Sequence, residues 1–460
     1  EGEETQAVQP PSDPRFDAAE AALESGDWAK AIDAYKEILS VTPGDAIAKI
    51  AGTRNFYEHI VVADFDLSRA ERAIEWVRNR NGEEKAKQFT AAKIDASNAA
   101  QIVELIKAHN ITHVLNAVEP KFVNTIFAAS YTAGVDYLDM AMSLSEVNES
   151  DPHHLPGLKL GDAQYAVHDQ WERAGRLALV GIGVEPGLSN IFARYAADYL
   201  FSEITEISVK DGGNLVVRNE QGEEIFAPSF SIWTTIEECL NPPLLWTRDK
   251  GWHTTQPFSE PEIFDFPEGI GPVECVNVEH EEVSMLPRSI RADRFSFKYG
   301  LGSEFIGVLK TLHMLGLDGT KPTRVRSAQG PVDVAPRDMV VSVLPNPADI
   351  GPQMTGKTCA GTLVLGKDKD GRERATYLYH AADNEWTMAN YESQCVVWQT
   401  AFNPLIALEL IAEGIWRGAG VLGPEHFDAK PFLDLMSSSV GYNIEWKQQE
   451  RLPAAPLRQP

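Results

Sequence analysis

The chain has 460 residues, more than one ordinary core accommodates, so two or three domains are expected. Hydrophobic residues make up 43% and the formal net charge is −26, which describes a folded protein whose surface repels nucleic acid and anionic membrane. A local basic pocket for an anionic substrate is compatible with that charge. The apolar runs fall short of a membrane span, and no charged-then-apolar leader opens the sequence, so neither a transmembrane segment nor a signal peptide is expected. Cys239, Cys275, Cys359 and Cys395 are scattered and form no CxxC pair. That pattern disfavours a zinc centre or a disulfide framework and points to reduced thiols in the cytoplasm, with no metal.

Residues 1–15 (EGEETQAVQPPSDPR) are polar, acidic and proline-containing, and read as a disordered tail. Residues 16–50 read as two short helices joined at Gly26-Asp27. Ala22, Gly26, Tyr35 and Pro43 fall at the small, turn, aromatic and terminating positions of a hairpin that resembles a tetratricopeptide unit and the tail repeats of thioredoxin-like co-chaperones. One such unit cannot bury its apolar face alone and must pack on something else.

After Asn55 strands and helices alternate: HIVVAD, then LSRAERAIEWVRNRNG, FTAAKID, NAAQIVELIKAHN, THVLNAVEP, FVNTIFAASYTAG, VDYLDMA, AQYAVHDQWERAG and LALVGIGV. This alternation predicts an α/β fold with a doubly wound parallel sheet over 51–190. From about 203 to 380 the alternating segments ITEISVKDGG, RFSFKYG, DMVVSVLP and ATYLYH predict antiparallel strands, with helices such as EFIGVLKTLHMLG between them. A separate α+β domain is expected over 191–400, with helices over 401–460 returning to the first domain.

In a doubly wound sheet, ligands bind at the carboxyl ends of the strands, where the strand order reverses. Asp64 ends the first strand of the series, where an acid accepts bonds from ribose hydroxyls and repels a 2′-phosphate, so NAD is favoured while NADP stays possible. Asp64 as a helix cap is the competing reading, although Asp66 is better placed for that. Asn116, Val118 and Pro120 form a small-residue strand end, and Asp95 lies near an adenine position; loop capping explains Asp95 and Asn116 equally well. Gly183, Pro186 and Gly187 make a turn, and Ser189 and Asn190 open the helix after it, facing an anion or substrate; such turns are also common without any ligand. In the second domain, Glu237, Glu238 and His280 offer proton chemistry for interconverting an amine and a carbonyl through an imine. Arg288 suits a substrate carboxylate. His253 and His380 are weaker candidates, and any single histidine is more often structural. The G-x-G-x-x-G loop expected before the first strand is missing: upstream of His59 the glycines are Gly2, Gly26, Gly44 and Gly52, and none follows an apolar strand.

HIVVADFDLSRAERA, THVLNAVEP, AGVDYLDMA, VGIGVEPGLSNIFARYAAD, DGGN, FPEGIGPVECVNVEHEE and WQTAFNPLIALELIAEGIWRGAGVLGPEHFD, in this order, resemble the saccharopine dehydrogenase-like reductases over roughly residues 54–445. The resemblance implies a Rossmann domain, an inserted domain for substrate and dimerisation, and NAD(P)-dependent oxidation or reduction at a carbon–nitrogen bond of a lysine-derived or similar amino acid. It implies a homodimer acting on a small molecule. The missing glycine loop raises a second reading of another class, a non-catalytic adaptor that docks a partner through the N-terminal hairpin.

Overall fold

The computed structural model describes residues 43–451 apart from Phe230, Gln329 and Ala348, so the tail expected over 1–15 and most of the hairpin expected over 16–50 lie outside the described residues. The last residues assigned to that hairpin behave differently from the expectation. Pro43–Ala51 form a helix, α1, whose Ala46, Ile47, Ala48, Ile50 and Ala51 are buried in the main core. They belong to the body, and the first domain begins earlier than residue 51.

Strand β1 (Ile60–Asp64) runs parallel to β2 (Phe89–Lys93), in register from Ile60 opposite Phe89 to Asp64 opposite Lys93. Helix α2 (Leu67–Asn81) crosses between them. Its Ala70, Ala73, Ile74 and Val77 are buried at a helical spacing, Asp66 caps its start by accepting from the Ser68 N–H at 3.0 Å, and Gly82 with φ 93° ends it. Helix α3 (Ala99–Ala108) leads to β3 (His113–Asn116), and α4 (Val123–Ala133) leads to β4 (Asp136–Asp139). After two short helices, Asp162–Tyr165 and His168–Arg173, where one was expected, the chain enters β5 (Leu177–Leu179).

The single doubly wound sheet expected from sequence is divided. Among the described residues β1–β2 is a two-stranded sheet, and β3, β4 and β5 belong to a separate four-stranded parallel sheet. A C-terminal strand, Gly420–Leu422, supplies the outer member of the four-stranded sheet by pairing with β5.

The second domain is built on a nine-stranded mixed sheet. Its middle is β6 (Phe201–Gly213), which pairs parallel with β7 (Arg294–Gly300) and antiparallel with β8 (Lys357–Asp368). The parallel pairing departs from the all-antiparallel expectation; the long excursion between β6 and β7 makes a crossover possible. β9 (Glu373–Asp383) pairs with β8, and β10 (Lys447–Arg451) pairs with β9. The last strand therefore lies in the second domain, whereas Gly420–Leu422 joins the sheet of the first and the helix Cys395–Ala412 packs on α1. The segment DMVVSVLP is also not a strand: Pro336–Val343 is a helix, started by Pro336 and by Asp338 in its first turn.

Helix α5 (Leu188–Tyr195) and the 18-residue helix α6 (Cys395–Ala412) straddle the expected domain boundaries at 190 and 400. By length and composition α6 could cross a membrane, which the sequence reading did not anticipate; here 72% of it is buried inside the fold. All four cysteines are buried and unpaired.

Candidate active site

The carboxyl ends of β1 and, in a separate sheet, of β3, β4 and β5 carry the residues of the dinucleotide crest expected from sequence. At Asp64 one carboxylate oxygen accepts the Asp66 N–H at 2.8 Å. Asp95 lies just past β2 and binds Ser97 through its N–H at 2.8 Å and its hydroxyl at 2.6 Å, contacts that lower its pKa. Asn116 is buried, donates to the Tyr137 hydroxyl at 2.9 Å and accepts from the Val118 N–H at 3.2 Å. Val118 is exposed, and Pro120 opens a short 3-10 turn. At β4, buried Asp139 accepts from the Gly181 N–H and from Gln164, both at 2.7 Å, and so ties β4 to the turn after β5. Burial nonetheless pushes its pKa up to about 7.

That turn is shaped by close backbone approach. The Gly183 N–H donates to the Pro186 carbonyl at 2.7 Å, and Gly187 sits at φ 136°. A Cβ on Gly187 would stand 2.0 Å from the Gly183 carbonyl oxygen, so only glycine fits. The turn delivers Ser189 and Asn190, both buried, to the second domain. The Ser189 hydroxyl donates to Glu282 at 2.7 Å, and the Asn190 amide donates to buried Glu425 at 2.9 Å.

Glu282 also meets His280, whose Nδ1 lies 2.5 Å from its second oxygen. The imidazole stacks on Phe297 with centroids 3.8 Å apart and planes 5° from parallel. Burial by itself would lower the His280 pKa, but Glu282, Glu281 and Glu238 outweigh it and hold the ring at about 10, so it is an imidazolium at neutral pH. Glu281 accepts from the Met142 N–H at 3.3 Å, just past β4.

Around this ion cluster stand four partly buried carboxyls. Glu185 and Asp211 hydrogen-bond to each other. Burial raises both, Asp211 to about 7. Glu238 is raised by burial to about 8, against the lowering effect of His280. Glu279, which accepts from Asn241 at 2.8 Å, is raised by burial to about 7. The sequence reading singled out none of Glu185, Asp211, Glu279 and Glu282 as a proton group. The EPG and DGGN segments carried the first two, yet only the fold shows that they meet.

Ser189, Asn190, Gly183, Pro186, Gly187 and His280 are thus brought together. Glu237 is not: it pairs with Arg337, which stacks over Trp233, and its neighbour Glu238 faces the cluster instead. Helical geometry points adjacent residues about 100° apart, so one of the two had to face away. Arg288 is also no free carboxylate anchor. It binds Asp162 at 2.9 Å and lies 4.0 Å from the Tyr165 ring centroid. His253 is bonded to the Gly251 carbonyl at 3.0 Å. His380 is buried against Gln399, and desolvation lowers its pKa to about 3.

Residues 44–179 match the saccharopine dehydrogenase NADP binding domain, and residues 183–442 match the saccharopine dehydrogenase C-terminal domain. The chain belongs to the saccharopine dehydrogenase family. A carboxynorspermidine synthase from Vibrio alginolyticus is 30% identical over 89% of this chain and 95% of its own length. A carboxyaminopropylagmatine dehydrogenase from Synechocystis is 26% identical over 74% of this chain and 81% of its own. The fold is shared with a saccharopine dehydrogenase (L-Glu forming) from Saccharomyces cerevisiae, at a TM-score of 0.59 and 11% identity over 90% of this chain and 98% of that one.

This saccharopine dehydrogenase-like protein is an NAD(P)-dependent oxidoreductase acting on a carbon–nitrogen bond. The residues that could hold the dinucleotide are Asp64, for a ribose, and the Asn116–Val118 strand end with the Gly181–Gly183 turn, for the nicotinamide. Between them the phosphates would meet the start of α1, where Gly44 would carry a Cβ 3.8 Å from that of Ala117. The sequence offers no G-x-G-x-x-G loop there.

Proposed function

We propose that this oxidoreductase reduces an imine formed by an aliphatic diamine or polyamine, giving a secondary amine. The observation that carries this reading is the gathering of Asp211, Glu238, Glu281 and Glu282 around one imidazolium, with Glu185 bonded to Asp211 and Glu279 beside Glu281, an excess of carboxyls that suits a substrate with several ammonium groups. The names of the Vibrio and Synechocystis relatives support an amine of this class. Arg288, read from sequence as an anchor for a substrate carboxylate, is bonded to Asp162 and packed on Tyr165, so the lysine-derived substrate that the resemblance implies draws no support from it.

The bound nicotinamide supplies the hydride to the imine carbon. The chain supplies the rest. The Glu185–Asp211 pair holds a proton near neutral pH and passes it to the imine nitrogen, so the C=N bond takes up one hydride and one proton. Glu282 holds His280 charged, and Ser189, at the start of the helix that follows the β5 turn, fixes Glu282 in place. Glu238 and Glu279 receive the distal ammonium groups. Asp64 favours NAD over NADP, because its carboxylate repels a 2′-phosphate, and the functional protein is a homodimer in the cytoplasm.

Steady-state kinetics with a diamine and a carbonyl partner test this. Glu238→Gln should raise KM for the amine about tenfold or more and leave KM for the nicotinamide unchanged, whereas Glu237→Gln should leave both alone. Equal amine KM in Glu238→Gln and the natural chain would overturn the assignment.

A further inference from the structure

A second cavity, of about 530 Å³, lies away from this cluster. Its walls are the end of β9, the helix α7 that follows it (Asn384–Tyr391), the N-terminal half of α6 and the turn at 441–447. It shares no lining residue with the Glu185–His280 group, and it opens beside Thr53, past the C-terminal end of α1, while the dinucleotide crest lies at the other end. The volume falls in the range of small-molecule sites.

Three rings build its corner. Trp386 and Trp398 have centroids 5.2 Å apart at 73°, Trp386 and Tyr391 are 5.9 Å apart at 54°, and Tyr391 and Trp398 are 5.7 Å apart at 40°. Trp386 and Trp398 meet edge to face and Tyr391, itself stacked on Trp76, packs against both, so the exposed Trp386 is the ring left open to a cation at this corner. Trp386 is 48% exposed, a large aromatic area left to water beside a cavity. Among the described residues the buried Trp398 indole N–H has no acceptor in full hydrogen-bond geometry, with the Tyr391 hydroxyl beside it.

The charges agree with the rings. Glu268 is paired with Lys447 at 2.9 Å and accepts from the Tyr379 hydroxyl at 3.1 Å, so those two opposite charges cancel. Asp383 and Glu445 leave the cavity negative. Asp383 spends one oxygen on the Trp386 N–H, at 3.0 Å, as the cap of α7.

We infer that this aromatic and acidic cavity is a second amine site, binding a free aliphatic diamine or polyamine through one ammonium group held by Trp386, Tyr391 and Asp383. The catalytic reading is not needed for it. An enzyme whose amine substrate or product also occupies such a site responds to amine concentration separately from turnover.

Calorimetric titration of the full chain with spermidine, in the Glu238→Gln background that weakens the catalytic site, tests this. Asparagine caps helices as well as aspartate, so Asp383→Asn keeps α7 capped and removes only the charge. It should weaken binding about five- to tenfold, Trp386→Ala at least as much, and Trp386→Phe less. Unchanged binding in both Asp383→Asn and Trp386→Ala, or no spermidine binding in the Glu238→Gln protein, would overturn the inference. Failure of the catalytic reading would instead show as an unchanged amine KM in Glu238→Gln.

Discussion

His280 became a site residue through its neighbours. An isolated histidine in a sequence is most often structural, as His380 and His253 are here. What distinguishes His280 is a 2.5 Å contact to Glu282 and a stack on Phe297. Removing the charge from Glu282 leaves that imidazolium buried without its partner. We expect Glu282→Gln to lower stability by about 3–5 kcal/mol in urea unfolding and to move the His280 titration, followed by NMR, down from about 10. Ser189→Ala removes only a neutral donor to Glu282, so a loss of about 1 kcal/mol is expected, more if the carboxylate is left short of a partner. The choice between Glu237 and Glu238 was not legible in the sequence, because both sit on one helix turn and only the position of Arg337 separates them.

At the scale of elements, the turn between β5 and α5 transmits position from one domain to the other. Gly187→Ala places a Cβ against the Gly183 carbonyl and strains a positive φ. A stability loss above about 2 kcal/mol is expected, with a larger loss in turnover than in nicotinamide affinity. Helix α1 allows a second test, which also bears on the adaptor reading. Deletion through residue 50 takes Ala46, Ile47, Ala48 and Ile50 out of the core, residues that deletion through residue 42 leaves in place. Circular dichroism should show the longer deletion melting well below the shorter one. Equal melting of both would mean that α1 is dispensable. The glycine and proline signals made the turn readable from sequence. Helix α1 was not legible, because Pro43 reads as well as the terminator of a hairpin as it does as the first residue of a helix.

For the whole molecule, the buried titratable groups fix the pH response. Asp139, Asp211 and Glu279 keep protons up to about 7 and Glu238 up to about 8, while in the unfolded chain they lose them near 4. A carboxyl whose folded pKa is raised stabilises most at low pH, and that contribution is lost as pH climbs through the folded value. His280 is raised from 6.5 to about 10, so its contribution is full below 6.5 and lost toward 10. His380 is lowered to about 3, so its contribution is present above 6.5 and lost toward 3. The melting temperature should therefore fall between pH 6 and pH 9, and Glu238→Gln should flatten part of that fall. A melting temperature that rises over this interval would show that these groups are ionised in the folded state.

The sequence by itself determined the local physics: which segments alternate as β and α, where the cofactor-facing strands end, that the turn at 181–190 needs glycine, and that the classical phosphate loop is missing. These rest on periodicity and backbone sterics, which act over a few residues. The tertiary structure decided what depends on approach between distant segments. It split the parallel sheet among the described residues, paired β6 with β7 in parallel, moved the last strand to the second domain, tied Arg288 to Asp162, and gathered carboxyls from residues 211, 238, 281 and 282 around one histidine. Desolvation and charge coupling set the chemistry of that cluster, and neither exists until the chain has folded.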